Sequence, residues 1–274
     1  MTPRNIPAAP LMLLRVVPVR TAIRQTSVVV ERSITLALRN WAAILSGFFE
    51  PLFYLAAFGL GVGRAISSIE VGTETVPYVV FLAPGLLAVS AMNGAVYDAT
   101  FNVFFKMRFQ RLYDGMLSTS LSVWQVATGE IVWSLIRGAL YGAGFLIVMS
   151  ASGLVWSWWA VLALPAVALI ALAFASVGMA MTTFISSFQH LDWVQAALLP
   201  MFLFSGAFSP VATYPDAVQP VIQALPLYHG VELLRALTVG SVDSSTVWHV
   251  VYLAGLSVAG LLLTSIRLER LLRR

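Results

Sequence analysis

Six long runs of apolar residues alternate with shorter polar stretches along the chain. They lie near 42–62, 77–97, 122–150, 157–185, 191–208 and 247–266. A helix rises about 1.5 Å per residue, so roughly 20 apolar residues are needed to cross the hydrocarbon core of a bilayer. The pattern therefore predicts an all-α integral membrane protein with six transmembrane helices.

Before the first run, apolar residues recur at the spacing of one helical face. They are Val30, Ile34, Ala37, Leu38 and Trp41. Such a stripe beside charged residues is typical of a helix that lies along a membrane surface. We expect an amphipathic interface helix over 28–41, which either anchors the first crossing or contacts a cytoplasmic subunit.

The polar stretch from Asp98 to Leu121 contains a second amphipathic pattern. Its apolar stripe is Phe105, Phe109, Leu112, Tyr113 and Met116, and its polar positions are Lys106, Arg108, Arg111 and Asp114. This spacing predicts a short helix outside the membrane. Such a helix either caps the bundle or receives a partner protein.

The segment 209–243 is not a plain polar loop. It carries four prolines, Pro210, Pro215, Pro220 and Pro226, between short apolar pieces. Prolines at the starts of short helices predict a pair of re-entrant outer helices, whose irregular backbone must be satisfied by protein or by a water-filled cavity. His229, Glu232 and Arg235 share one helical face there, and we expect local hydrogen bonding between them rather than a metal site.

Composition and charge agree with a membrane protein. Of 274 residues, 59% are hydrophobic and 10% are charged, which is too little polar surface for a soluble core. Thirteen of the sixteen basic residues fall in three polar regions: the stretch before the first run, the inner loop at 106–111, and the stretch from 267 onward. Basic loops stay in the cytoplasm, so both termini, with tails at 1–25 and 271–274, are expected inside. Basic residues beside membrane segments suit lipid headgroups or a docked protein and do not indicate nucleic acid.

Glu50, Glu130 and Arg137 are charged residues that lie deep within the apolar runs. An arginine at mid-membrane costs about 2.5 to 3.5 kcal/mol on insertion scales, so we expect Arg137 to pair with Glu130 or Glu50, the alternative being contact with a transported molecule. Gly138 and Gly142 form a G-x-x-x-G face that permits close approach of another helix.

Catalytic chemistry is not expected in this chain. There is no cysteine, and the single lysine, Lys106, follows Phe105, so no phosphate-binding loop ending in G-K-[ST] occurs. Three scattered histidines and no G-x-S-x-G elbow leave no catalytic or metal-binding set. Three functions remain: a transport subunit driven by a partner, an ATP-independent carrier or channel using the intramembrane charges, and a non-transporting scaffold.

Several stretches together resemble one family over residues 25 to 270. They are Phe49–Tyr54, Phe58–Gly61, Phe81–Ala88, Arg111–Thr119, Gly129–Ile131 and Leu225–Arg235. With them, the chain resembles the membrane subunit of type-2 ABC exporters, most strongly the nodulation-type lipooligosaccharide export permeases, with daunorubicin-resistance-type permeases as near relatives. Ser120 stands where those relatives typically have a proline.

The resemblance implies a partner-driven exporter. Residues 26–270 would form the transmembrane domain of a dimer, made with a second permease copy or a paralogue, in a bacterial inner membrane. Two separate ATP-binding subunits would bind ATP and magnesium, and this chain would hold no cofactor. The loop at 106–119 would be the coupling helix, and the residues facing the ATP-binding subunit would be Lys106, Arg108, Arg111, Tyr113, Asp114, Arg32 and Arg39. Family members carry glycolipids, polysaccharides or amphipathic drugs, so the cargo stays open.

Overall fold

The computed structural model describes residues 19–66, 68–71 and 74–272. The predicted tail at 1–25 lies largely outside this range, as do the last two residues. The described chain is mostly helical, and its helices are α1 (Val19–Arg39), α2 (Trp41–Ala57), α3 (Tyr78–Arg108), α4 (Leu112–Leu117), α5 (Val123–Ala151), α6 (Ala163–Thr182), α7 (His190–Leu203), α8 (Gln219–Gln223), α9 (Pro226–Val239) and α10 (Ser244–Leu272).

A two-stranded hairpin departs from the predicted all-α class. Strands β1 (Ser68–Val71) and β2 (Glu74–Pro77) pair antiparallel, with Ile69 opposite Val76. Val76 is fully buried. Ile69 and Val76 are both β-branched, which favours a pleated pair, and the helical interpretation of the flanking runs did not anticipate it.

Four helices in the described chain are long and apolar enough to cross a membrane. They are Tyr78–Arg108, Val123–Ala151, Trp158–Thr182, which begins with a 3₁₀ turn, and Ser244–Leu268 within α10. They correspond to four of the six predicted crossings. The protein is therefore a multi-pass membrane protein by the length and composition of its helices.

The other two predicted crossings have a different local structure. α2 continues through a π-helical turn at Phe58–Val62 and a last turn at Gly63–Ala65. α7 has only 14 residues, about 21 Å, which is shorter than a hydrocarbon core. The predicted run at 191–208 therefore ends as a helix at Leu203 and continues as irregular backbone.

Helix α3 lies at the centre of the bundle and contacts α2, α5, α6 and α9. In its most apolar stretch of 18 residues, 89% of the residues are buried. The side chains of this stretch are apolar on every face, so no side of the helix has a preference for lipid. Close contacts fix it in place. A β-carbon at Gly85 would lie 2.6 Å from the β-carbon of Ala207, so the backbone at this position requires glycine.

The inner loop was predicted to begin at Asp98, but in the structure the preceding helix is longer. α3 does not end near residue 97 but runs on to Arg108, through a π-helical turn at Asp98–Asn102. The polar side chains of this turn suggested a loop in solvent, yet Asp98 is completely buried. Partners on α5 satisfy its carboxylate, and this lets the helix continue.

The single amphipathic helix predicted over 106–119 is in fact broken. Residues before Phe109 belong to α3, and those after Arg111 form the six-residue α4. Arg111 adopts a left-handed conformation, with φ of 45°, which is uncommon outside glycine, asparagine and aspartate. The apolar stripe of this segment therefore lies on two helices.

The G-x-x-x-G face of α5 packs as predicted. A β-carbon at Gly138 would lie 2.6 Å from the carbonyl oxygen of Ala91 on α3 and 2.8 Å from the side chain of Ala171 on α6. Gly142 meets Val167 of α6 as closely. Three helices thus touch at backbone distance along one line, which sets the spacing of the bundle.

Candidate functional site

A cavity of about 540 Å³ opens between α2, α3, α5 and α7. Its walls carry two charged residues, several tyrosines, two amides and apolar side chains, and they are formed by Gly47, Glu50, Tyr54, Met92, Asn93, Val96, Tyr97, Phe101, Arg137, Tyr141, Gln195, Leu198, Leu199 and Phe202. Concave sites with apolar walls and a few convergent polar groups are typical of binding sites. Two of the three predicted intramembrane charges, Glu50 and Arg137, therefore lie at one cavity.

Arg137 does not pair with Glu130 or Glu50, and that prediction is wrong. Its guanidinium donates to the Asp98 carboxylate over 2.9 Å and to the Tyr141 hydroxyl over 3.3 Å. The guanidinium carbon also lies 5.4 Å from the centre of the Tyr97 ring. The sequence analysis missed Asp98 as a partner because it assigned this residue to the inner loop. In the structure, Asp98 belongs to α3.

Glu130 has a different partner. Its carboxylate accepts a hydrogen bond from the Lys106 ammonium over 2.6 Å. Glu130 is fully buried and the Lys106 side chain is only 13% exposed. Lys106, predicted to face an ATP-binding subunit, therefore points into the bundle, where its charge neutralises an acid that would be costly alone.

The two ion pairs are joined by hydrogen bonds. The Asn102 amide donates to Asp98. The Ser134 hydroxyl lies 3.3 Å from the Asp98 carboxylate and 3.0 Å from the Glu130 carbonyl oxygen, so its one hydrogen is shared between these acceptors. A spacing of four residues, from Asp98 through Asn102 to Lys106, was the sequence signal for this arrangement.

Tyr113 of α4 lies beside Glu130. It is 1% exposed, so it is not part of a docking surface. Burial, and then the Glu130 carboxylate beside it, raise the pKa of the Tyr113 phenol well above its ordinary value. The phenol is therefore a hydrogen-bond donor at any physiological pH.

A groove of about 460 Å³ separates α1 from α4 and the residues just after α4. Val28, Val29 and Arg32 form one wall and Leu112, Gly115, Met116, Thr119, Ser120 and Leu121 the other. Both predicted amphipathic elements meet here, although they are far apart in sequence. Gly129 brings α5 against them, since a β-carbon there would lie 2.7 Å from the side chain of Val29.

Four further predicted coupling residues are exposed. Arg111 and Asp114 are exposed on and beside α4, and Arg39 is exposed at the end of α1. Arg108 is exposed and lies 3.5 Å from the carbonyl oxygen of Ile185. These four side chains can meet a partner directly.

Of the three residues predicted to bond locally, Glu232 and Arg235 do so, and Arg235 makes most of the contacts. This side chain is 3% exposed, pairs with Glu232, donates to the Gly206 carbonyl oxygen over 2.7 Å, and stacks over the Phe81 ring at 3.9 Å. It ties α9 to α3 and to the irregular segment after α7. A planar, multiply donating guanidinium is suited to such a clamp.

His229 is separate from that clamp. Its Nδ1 lies 2.8 Å from Nδ1 of His249 on α10, and the Tyr252 ring stacks on it at 3.7 Å. Nothing in the sequence indicated His249, because it is 20 residues away in a lipid-facing run. In the described part of the chain, no group of three His, Cys, Asp or Glu residues is placed to hold a metal ion.

Comparison with known proteins places these features in a family. A profile of the ABC-2 type transporter family matches residues 24–239, which include the cavity, the groove and the outer clamp. The chain belongs to the ABC-2 type transporter family. The resemblance seen in the sequence is thereby confirmed, and the protein is a membrane permease component of a transporter.

Three relatives of the permease share one name. Nodulation protein J of Rhizobium leguminosarum bv. viciae is 34% identical over 235 residues, which cover 85% of this chain and 89% of the relative. The Rhizobium leguminosarum bv. trifolii protein is 38% identical over 201 residues, or 73% of the permease and 75% of the relative. Nodulation protein J of Rhizobium meliloti (strain 1021) is 34% identical over 202 residues, with 73% and 75% covered.

Proposed function

We propose that this permease is the membrane-spanning subunit of an ATP-driven exporter, which moves an amphipathic or glycolipid-like cargo outward. Separate ATP-binding subunits supply the energy, and two permease chains, identical or paralogous, form the path. The observation that carries the proposal is the cavity between α2, α3, α5 and α7 in a chain of this family. The permease itself hydrolyses no ATP.

The proposed topology has six crossings, with both termini in the cytoplasm of a bacterial inner membrane. α2 and α7 complete the four long helices. Exposed tryptophans support this arrangement, since Trp favours the two membrane interfaces. Trp124 lies at the start of α5, and Trp156 and Trp158 lie just beyond its end. In this arrangement α9 is a re-entrant helix, buried against α3, α6 and α10.

The proposed docking site for the ATP-binding subunit is the groove between α1 and α4. Its apolar floor, formed by Val29, Leu112 and Met116, is rimmed by exposed charges that include Arg111 and Asp114. An apolar groove with a charged rim suits a partner helix or loop with complementary charges. Movement of the partner would then press on α4.

The cavity supports a cargo that is polar at one end and apolar at the other. Glu50, Asn93, Gln195 and the tyrosine hydroxyls offer hydrogen bonds, while Leu198, Leu199 and Phe202 offer apolar contact. The relatives named Nodulation protein J, and the resemblance to lipooligosaccharide export permeases, favour a glycolipid-like molecule.

An ATP-independent carrier is supported less well. Such a carrier needs intramembrane groups that change charge or partner during transport. Lys106 neutralises Glu130 and Asp98 neutralises Arg137. Among the residues that the structure describes, only Glu50 of the three proposed charges has no ion-pair partner, and a single acid makes no pathway.

Reconstitution of the permease with its ATP-binding subunit tests the proposal. We expect a stable complex in which cargo stimulates ATP hydrolysis, and we expect Arg111→Glu and Asp114→Arg each to weaken binding of the ATP-binding subunit. Arg270→Glu is the matched control, since it reverses an exposed charge in the last turn of α10, away from the groove. Transport that continues without any ATP-binding subunit would overturn the proposal.

A further inference from the structure

A continuous line of polar side chains runs through the apolar bundle. It consists of Asp98, Asn102 and Lys106 on α3 and Glu130, Ser134 and Arg137 on α5, and we call it the polar seam. The two helices run antiparallel, so that Lys106 meets Glu130 at one end and Asp98 meets Arg137 at the other. The Ser134 hydroxyl connects the pairs, since it lies within hydrogen-bonding distance of the Asp98 carboxylate and of the Glu130 backbone carbonyl oxygen, and Asn102 donates to Asp98.

One end of the polar seam forms the wall of the cavity. Arg137 lines the cavity together with Tyr97 and Tyr141, which contact its guanidinium. Because Asp98 is fully buried behind it, the position of the guanidinium in the wall depends on the position of Asp98. A displacement of Asp98 would therefore change the shape and the charge of the wall.

The other end of the polar seam is incomplete. The Tyr113 hydroxyl of α4, Oε1 of Glu130 on α5 and Nη1 of Arg32 on α1 are all buried and make no hydrogen bond of ordinary geometry. The phenol is within hydrogen-bonding reach of Glu130, which acts on it both as an acceptor and through its charge, and it is close enough to Arg32 to feel that charge as well. Folded proteins pair nearly all their buried polar groups, so three buried atoms from three elements without a well-formed hydrogen bond require an explanation.

We propose that the polar seam transmits movement of α4 to the cavity wall, and that Tyr113 is the positioning residue at its inner end. The inference rests on the proposed function, because it is the ATP-binding subunit that moves α4. A small shift of α4 toward α5 lets the phenol donate a well-formed hydrogen bond to the free oxygen of Glu130, which pairs both groups. Glu130 then holds Lys106 less strongly.

The backbone of α3 offers a way to carry that change onward. The turn at Asp98–Asn102 is π-helical, and such turns are commonly found at functional sites within α-helices. Conversion of a π turn to an α turn shifts the register of the downstream part of the helix by one residue, which is about 100° around the helix axis. Asp98 begins this turn and Lys106 follows it, so in such a conversion the two ion pairs cannot both keep their geometry. The polar seam therefore has two discrete arrangements, as transmission between separate sites requires.

A cysteine reporter in the cavity tests this inference. The natural chain has no cysteine, so Gln195→Cys places a single thiol at an exposed position of the cavity wall. The rate of labelling by N-ethylmaleimide would be measured in the complex with the ATP-binding subunit, without nucleotide and with ATP under non-hydrolysing conditions. We expect the two rates to differ about fivefold or more, the range of ordinary allosteric coupling.

Changes at the inner end of the polar seam should remove this difference. Tyr113→Phe deletes one hydroxyl and keeps the buried ring, and we expect it to bring the two labelling rates within about twofold of each other. Tyr252→Phe is the matched control, since it deletes a hydroxyl that bonds the Ala224 carbonyl oxygen elsewhere, and it should keep the full difference. A reporter at Val258→Cys, on the exposed face of α10, should label equally in both states.

A charge exchange guards against a variant that merely misfolds. Lys106→Glu alone places two acids together and should abolish the nucleotide effect. The addition of Glu130→Lys restores the ion pair and should recover the stability of the complex, but the nucleotide effect should stay absent, because an ammonium at position 130 offers the Tyr113 phenol no acceptor. A double variant that recovers the full labelling difference would exclude the bond from Tyr113 to Glu130 as the trigger. If the Tyr113→Phe complex keeps the full labelling difference, the polar seam is not the route. The complex that carries only Gln195→Cys could instead bind and hydrolyse ATP and yet show the same labelling rate with and without nucleotide. That result would overturn the inference and leave the proposed function standing. If no complex forms at all, it is the proposed function that fails.

Discussion

The guanidinium of Arg137 on α5 lies 2.9 Å from the carboxylate of Asp98 on α3, 39 residues earlier in the chain. Both side chains are largely removed from solvent, because Asp98 is fully buried and Arg137 only 11% exposed. The pair closes the wall of the cavity and lets α3 continue past its predicted end. One contact thus links the length of a helix to the chemistry of the candidate site.

Removal of Asp98 alone should lower the free energy of unfolding much more than removal of both Asp98 and Arg137. Asp98→Ala leaves a buried guanidinium without its counter-charge, and we expect a loss of about 3 to 5 kcal/mol in the free energy of unfolding. The double variant with Arg137→Met buries no charge and should recover most of that loss. Reversible unfolding in mixed micelles measures both. Equal losses in the single and double variants would show that the ion pair has no structural role, and a change of cargo selectivity in Arg137→Met alone would assign Arg137 to the path.

The glycine face of α5 gives a steric prediction. Gly142→Leu forces a side chain into Val167 of α6 and Gly138→Val forces one into the backbone of α3. We expect overpacking losses of about 1 to 3 kcal/mol or more, seen as a lower midpoint of thermal unfolding. Gly61→Ala is the control, since nothing lies within 4 Å of a β-carbon at that position. A Gly142→Leu variant as stable as the control would mean that α5 and α6 are not this close.

The clamp at Arg235 should not tolerate lysine. Arg235→Lys keeps the charge but loses the planar stacking on Phe81 and one of two directed hydrogen bonds. We expect a loss of about 1.5 to 3 kcal/mol, the worth of a hydrogen bond to a charged group. Glu232→Gln keeps an acceptor for the guanidinium, and its side chain is 29% exposed, so it should cost less. Unfolding of the two variants side by side decides whether stacking or charge dominates.

The start of α10 gives a pH prediction. Asp243 accepts hydrogen bonds from the backbone of Ser245 and Thr246 and from the Ser245 hydroxyl. The Ser245 hydroxyl and then these amides lower the pKa of the Asp243 carboxyl. A lowered pKa means that the stabilisation is complete above the unfolded value of 3.8 and is lost as the pH falls through the folded value.

Asparagine provides the comparison for that effect, because it caps a helix without titrating. The midpoint of thermal unfolding of the natural permease should exceed that of Asp243→Asn at neutral pH. The advantage should shrink as the pH falls below about 4. A difference that stays constant with pH would exclude Asp243 as a charged cap.

The left-handed residue at the break between α3 and α4 gives a local prediction. Arg111→Gly removes the conformational penalty of a β-carbon at a positive φ, so the loop itself should not be destabilised. Loss of the exposed charge should still weaken binding of the ATP-binding subunit. Thermal unfolding and binding, measured together, separate the backbone effect from the charge effect.

Much of the fold was predictable from residue pattern alone. Long apolar runs identified four of the crossings, three of them within a few residues at both ends, and the G-x-x-x-G face predicted a close approach of α5 to other helices. The two amphipathic stripes predicted the elements that form the inner groove. These features depend on local periodicity and on transfer of side chains from water to an apolar phase, which each segment experiences largely by itself.

The pairing of the charges was decided only by the tertiary structure. Glu50 and Glu130 were the two partners expected for Arg137 from the sequence, and its actual partner is Asp98, which was assigned to a loop. Tyr113 had the periodicity of a surface stripe and is buried, and His249 looked like part of a lipid-facing run and contacts His229. A buried charge is stabilised by whichever counter-charge the packing brings within about 3 to 4 Å, and that depends on how helices cross and where α3 ends. The sequence by itself determined which segments enter the membrane, and the packing of those segments determined which polar groups meet inside it.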